Sequence, residues 1–324
     1  MLQRVAFSVI GPRPTSHRTR LLDHPPPSLA ELHLHLDGSL RMATVRELAA
    51  QRGHPVPADL LFRPGMGLAE ALERFAFTLS LLQQPREVQR VANEICEDAA
   101  AQAVQTLEVR FAPQLHRGAA LDVIIDHALE GLAGRAGLIL CGLYGEPPAL
   151  LERLVELAAT RPGVVGLDLA GGPAPSQPFQ LADYAPAFRR ARALGLGRTV
   201  HAGEGRPPEE IRVAIETLHA QRIGHGTTLL DDPTVVELVL ERGITIEACL
   251  TSNLHTGAIA ALVAHPLPRW LAAGIKACIC ADNTLLSDTT TAAEYQRALT
   301  LPGMTPALLA RAAAHGTRAA FRRI

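Results

Sequence analysis

Residues 30–39 read Ala30-Glu31-Leu32-His33-Leu34-His35-Leu36-Asp37-Gly38-Ser39, and the fold is decided by how this stretch is read. On an extended strand successive side chains alternate, so His33 and His35 share one face while Leu32, Leu34 and Leu36 share the other. Two imidazoles facing one way are half of a metal site.

Three later segments also end a short apolar run in polar, chemically capable residues. They are Thr199-Val200-His201-Ala202-Gly203-Glu204, Arg222-Ile223-Gly224-His225-Gly226 and Ile279-Cys280-Ala281-Asp282-Asn283. Similar runs recur at 106–112, 138–144, 164–170 and 244–250, with helical patterns between them. Pro207-Pro208-Glu209-Glu210 opens a helix whose Ile211, Ile215 and Leu218 share a face, and Asp232-Pro233 opens another that stops at Gly243. Eight strands alternating with helices predict a parallel (β/α)8 barrel. About 70 residues separate the first two strands, with helical patterns at 43–51, 68–82 and 87–103. This insertion is read as a helical cap over the barrel mouth.

Composition agrees with one folded unit. The chain has 324 residues, 48% hydrophobic and 19% charged, and α/β barrels of roughly 250 residues form single domains. Residues 28–324 are therefore expected to form one domain. Residues 1–27, rich in Arg, His and Pro and closing on Pro25-Pro26-Pro27, are expected to be a loose extension that at most covers the barrel floor. A formal charge of −1 and a pI near 6.9 offer no basic field for nucleic acid or a membrane surface, so a small neutral substrate is expected. No run reaches the ~18 apolar residues of a membrane span, and no signal peptide is recognisable. Five scattered cysteines read as reduced core thiols, Cys278 and Cys280 included, which points to the cytoplasm.

In such barrels chemistry sits at the C-terminal strand ends, where His33, His35, His201, Glu204, His225 and Asp282 all fall. Imidazoles with a carboxylate suit Zn²⁺, which lowers the pKa of a bound water to about 7. Two-metal barrels often bridge their ions with a modified lysine on strand 4. The only lysine is Lys276, before strand 8, so one ion per chain is expected.

The chain resembles the adenosine deaminase family of zinc amidohydrolases. The resemblance is carried by residues 31–38, by Gly166-Leu167-Asp168-Leu169-Ala170-Gly171, Val200-His201-Ala202-Gly203-Glu204 and Arg222-Ile223-Gly224-His225-Gly226, and by residues 252–257. It implies His33, His35, His201 and Asp282 as metal ligands, with His35 also at the substrate. Glu204 would protonate purine N1, and His225 would orient the attacking hydroxide. Gly171 would present its N–H to N3, and Asp37 would accept from the ribose 5′-hydroxyl. Many members have a second aspartate where this chain has Asn283, whose amide can donate to N7 directly.

The expected reaction is hydrolytic deamination of adenosine and 2′-deoxyadenosine to the inosine products and ammonia. Rivals are deamination of free adenine, deamination of an aminofutalosine-type nucleoside with a larger 5′ group, and a non-catalytic nucleoside-binding relative. Asp168 is assigned to the turn before Gly171, and His116, His255 and His265 to loops or the cap. Asn283 has a second reading, as a residue that fixes Asp282.

Overall fold

In the computed structural model, which describes residues 28–172, 176 and 178–321, eight parallel strands pair in chain order. They are β1 (Leu29–His35), β2 (Val104–Phe111), β3 (Gly137–Leu143), β4 (Val164–Ala170), β5 (Gly197–Ala202), β6 (Arg222–His225), β7 (Thr245–Ala248) and β8 (Lys276–Ile279). The ring closes just past β8. His35 N–H donates to Asp282 O at 2.8 Å and Asp282 N–H to His33 O at 2.9 Å. The stretch expected to be an N-terminal extension, 1–27, lies outside the described residues.

The outer helices start and stop where local chemistry dictates. The Pro233–Arg242 helix is capped by Asp232, which accepts from Thr234 N–H, and ends at Gly243 with φ +63°. None of the described helices is long and apolar enough to cross a membrane.

The insertion divides its labour more finely than the sequence reading expects. Its Pro85–Ala101 helix begins with a Gln84/Glu87 capping box and buries Val88, Val91, Ala92, Ile95, Cys96 and Ala99 on one stripe. That stripe packs against the Leu121–Leu132 helix and β2, so this helix belongs to the ring. The Leu68–Leu81 helix, preceded by Phe62, is the part that faces the cavity at the mouth.

Barrel interiors are usually filled by branched apolar side chains. Here fully buried charges cross the lower interior. Arg110 meets Asp168 at 2.7 Å and Glu247 at 2.9 Å, and donates to Leu32 O at 2.6 Å. Arg222 meets Glu247 at 2.7 Å and Glu108 at 2.6 Å, while Phe321 lies over its guanidinium at 3.7 Å. Glu31 accepts from His33 N–H, Ala281 N–H and the Thr291 hydroxyl, tying β1 to the end of β8. Burial pushes its carboxyl up to about 7.

A buried charge left without its partner is costly, so Arg222→Met is expected to lose about 3–5 kcal/mol of stability in urea unfolding. Arg153→Ala, which breaks an exposed pair with Glu156, is expected to leave the midpoint unmoved.

Candidate active site

Strand ends deliver the expected residues to one place. His33 and His35 close β1, His201 lies one residue from the end of β5, and Asp282 lies three residues past β8. His35 Nε2 is 3.3 Å from both His33 Nε2 and His201 Nε2, and Asp282 Oδ1 is 3.5 Å from His33 and 3.4 Å from His35. Four donors about 2.0–2.2 Å from a shared centre at tetrahedral angles stand roughly 3.3–3.6 Å apart. These four separations fall in or beside that range, and His33, His35 and His201 could hold one metal ion.

The electrostatics point the same way. His33 Nδ1 lies 2.6 Å from Glu247, and His201 Nδ1 lies 3.1 Å from Asp168. Each carboxylate accepts from Nδ1–H, so both Nε2 atoms turn lone pairs towards the shared centre. Burial first, and then Arg110 and the neighbouring imidazoles, hold His33 and His35 well below the usual histidine range. Burial works against His201 as well, but Asp168 outweighs it and raises that group. Lone pairs converging at 3.3 Å repel unless a cation lies between them.

Cys249 also comes within reach of His33, His225 and Asp282, but burial pushes its thiol well up, so it stays protonated.

Glu204 and His225 line the cavity beside this cluster, with His225 Nε2 3.9 Å from Glu204. Arg206 Nη1 lies 3.8 Å from Glu204, while its Nε is held by Glu210 at 2.8 Å. His225 and Asp282 both have left-handed backbones, φ +66° and +63°, a conformation that costs a non-glycine residue energy and clusters at working sites. Gly171 has φ +75°, and among the described residues a Cβ there would meet no atom within 4 Å beyond its chain neighbours. The space beside it is cavity. Asn283 also lines the cavity, its Oδ1 packed against Gly38, where a Cβ would come within 2.0 Å. No bond from its side chain to Asp282 is found, so the reading of Asn283 as a residue that fixes Asp282 gains no support.

The tautomer of His225 follows from a chain of bonds behind it. Leu267 N–H donates to His265 Nδ1 at 3.1 Å. Burial first, and then His225, lower His265 to about 3, so it is neutral and its one proton sits on Nε2. Asn253 bridges His265 Nε2 (3.0 Å) and His225 Nδ1 (2.8 Å). With Nδ2 towards His265 and Oδ1 towards His225, His265 would accept at both nitrogens, which a neutral imidazole cannot do. Turning the amide end for end satisfies every group. His225 Nδ1 then accepts, and its Nε2 carries a proton towards Glu204 and the cavity.

Several working residues differ from the sequence reading. Asp168 holds His201 and Arg110 inside the barrel instead of organising a turn. His265 stands behind His225, and His116 lies 2.8 Å from Asp37. His116 and His265 lie on loops, as expected, while His255 closes the Leu250–His255 helix and packs edge-on to Phe62. The cavity holds about 200 Å³ and has an apolar wall of Phe62, Leu68, Leu72, Phe75, Leu79 and Leu115.

A family model described as adenosine deaminase matches residues 28–323. An adenosine deaminase of Serratia proteamaculans is 35% identical over 314 residues, 90% of this chain and 93% of that one. Among solved structures, an adenine deaminase from Arthrobacter aurescens superposes with a TM-score of 0.83 at 27% identity, covering 92% of this chain and 94% of its own. An Arabidopsis N6-mAMP deaminase gives 0.81 at 26%, with the same two coverages. An amidohydrolase from Burkholderia ambifaria with bound Zn gives 0.82 at 25%, covering 92% of this chain and 86% of its own.

Asp168→Asn is expected to weaken divalent-ion affinity about 10–100-fold, the usual effect of losing a group that orients a ligand. Competition against a chromogenic chelator measures it, with the melting temperature followed in parallel because Arg110 also loses a partner. A folded variant of unchanged affinity would return Asp168 to the turn.

Proposed function

Because the chain belongs to the adenosine deaminase family, we propose that it hydrolyses adenosine and 2′-deoxyadenosine to inosine and 2′-deoxyinosine, releasing ammonia. What supports the reading most is the spacing of four donor atoms, three imidazole nitrogens and one carboxylate oxygen, beside a cavity that Glu204 and His225 also line. A zinc ion held by His33, His35, His201 and Asp282, one per chain, supplies when bound the Lewis acidity that makes water nucleophilic near neutral pH.

The chain's own residues do the rest. Adding oxygen to an aromatic ring becomes feasible only if N1 gains a proton as C6 turns tetrahedral, and Glu204 holds that proton. His225 donates from Nε2 towards the incoming oxygen and steadies the charge that develops there. Gly171 offers its N–H to N3, with no side chain in the way of the ring. Asn283, its oxygen packed on Gly38, donates from its amide to N7, and Asp37 accepts from the 5′-hydroxyl. The C6–N bond then breaks, the nitrogen leaves as ammonia with one of the water's two protons while the other restores Glu204, and the ring becomes a 6-oxopurine. We assign this work to residues 28–324 as one unit, and to the cytoplasm, since the five cysteines are scattered along the chain and buried in the core, as reduced core thiols are.

The adenine deaminase among the structural neighbours favours a second reading, free adenine as substrate. Asp37 lines the cavity and would accept from a ribose 5′-hydroxyl, which free adenine lacks, so adenosine is the first choice.

Purified protein is expected to consume adenosine, followed at its ultraviolet band, with Glu204→Gln slower by about 10²–10⁴-fold. Undiminished turnover in that variant removes Glu204 from its role. Elemental analysis is expected to find one zinc per chain, with activity lost to a chelator and restored by zinc. Adenine turned over as fast as adenosine would favour the second reading.

A further inference from the structure

A second cavity opens at the other end of the barrel, where β5, β6, β7 and β8 begin. It holds about 620 Å³, and its lining includes Arg192, Arg198, Arg222, Lys276, His315 and Arg318 but no Asp or Glu among the described residues. Arg222 is already matched, because Glu108, Glu247 and Ala319 O take its donors. Arg192, Arg198, Lys276 and Arg318 have no carboxylate partner among the described residues. The Arg198 guanidinium donates only to carbonyl oxygens, His219 O at 2.8 Å and Leu196 O at 2.7 Å, and Lys276 donates to Gly243 O at 3.3 Å.

Arg198 carries the most information. It is 9% exposed, and a guanidinium so enclosed is normally held by a carboxylate, because a buried charge without a partner is costly. Burial, and then Arg192, lower its pKa, and no acidic group opposes them. Its Nη2 has no partner among the described residues. Burial first, and then Arg311, Arg318 and Lys276, hold His315 below the usual histidine range, so the ring is neutral. Its Nδ1 accepts from Ala277 N–H at 3.2 Å, which leaves the proton on Nε2 as a further donor without a partner among the described residues. Arg192, Lys276 and Arg318 are exposed. Residues 1–27 and 322–324 bring six more arginines and one aspartate, so their side chains add positive charge on balance.

We propose that this floor cavity is a binding site for a small polyanion, a di- or triphosphate chain, either free or carried on a nucleoside. Guanidinium forks match phosphate oxygens, and four cations without carboxylates call for more negative charge than one carboxylate or one phosphate carries. A concavity of this size suits a small ligand better than the face of a macromolecule. The cavity lies at the strand ends opposite the histidine cluster, so the site stands apart from the deaminase reading.

Calorimetric titration of the zinc-loaded protein with tripolyphosphate, ATP and sulfate at matched ionic strength tests it. The variants are Arg198→Gln, the double Arg192→Ala/Arg318→Ala and, as a control outside the cavity, Arg153→Ala. Tripolyphosphate is expected to bind the parent protein at least about 100-fold more tightly than sulfate. Either cavity variant is expected to lose about 10–100-fold of that affinity, the usual reach of a hydrogen bond to a charged group, and Arg153→Ala to lose none. ATP bound more tightly than tripolyphosphate would name a nucleotide as the ligand, and ATP bound no more tightly the bare phosphate chain; both support the site. Equal tripolyphosphate affinity in the parent and both cavity variants would put the anion elsewhere, at the zinc for instance, and would overturn the proposal. So would tripolyphosphate bound no more tightly than sulfate, or a DNA duplex bound where tripolyphosphate is not. If Arg198→Gln does not fold, the exposed pair alone decides by the same comparison.

Discussion

Two guanidinium groups inside a closed barrel set the terms for everything above them. Arg110 and Arg222 are almost wholly enclosed, so each must be matched by carboxylates at hydrogen-bonding distance, and Asp168, Glu247 and Glu108 supply them. Asp168 and Glu247 then have a second duty. Their remaining reach extends upward to Nδ1 of His201 and His33, fixing each imidazole in one tautomer and one orientation. Thr199 closes the arrangement by donating to Glu247 at 3.0 Å. The histidine cluster is rigid because its support is ionic, cross-braced over several strands and sealed from water.

Above that brace the backbone turns sharply. His225 and Asp282 leave their strands in the left-handed region, and both are held there by neighbours on other elements. Asp282 exchanges backbone bonds with β1, and His225 is gripped through Asn253 by His265. Energy stored in the Asp282 backbone is thus offset by bonds that exist only when the ring is closed.

What could be read from the sequence divides along a physical line. Residues at strand ends announce themselves, because a histidine or aspartate after an apolar run has no packing reason to be there. His33, His35, His201, Glu204, His225 and Asp282 were all legible in this way. Charges inside strands are harder, since a lone Glu247 in Thr245-Ile246-Glu247-Ala248 can face solvent or the axis until strand order and closure are known. Arg110 and Asp168 were missed for that reason, and a charged residue between apolar neighbours in a buried strand was the available signal. His116 and His265 gave no such signal, because their partners, Asp37 and Asn253, lie on short helices far away in the chain. The insertion was read as one cap since its three helices share amphipathic patterning, and only packing separates the ring helix from the wall.

The apolar wall of the cavity comes largely from Phe62 and the Leu68–Leu81 helix, a segment that adds no metal donor to the histidine cluster and touches it through Phe75, edge-on to His35. Shape selection and bond chemistry are consequently written in separate parts of the gene. Substitutions in this helix can re-tailor what is admitted while the reacting centre goes on unaltered, which gives the scaffold a low-risk route to new substrates.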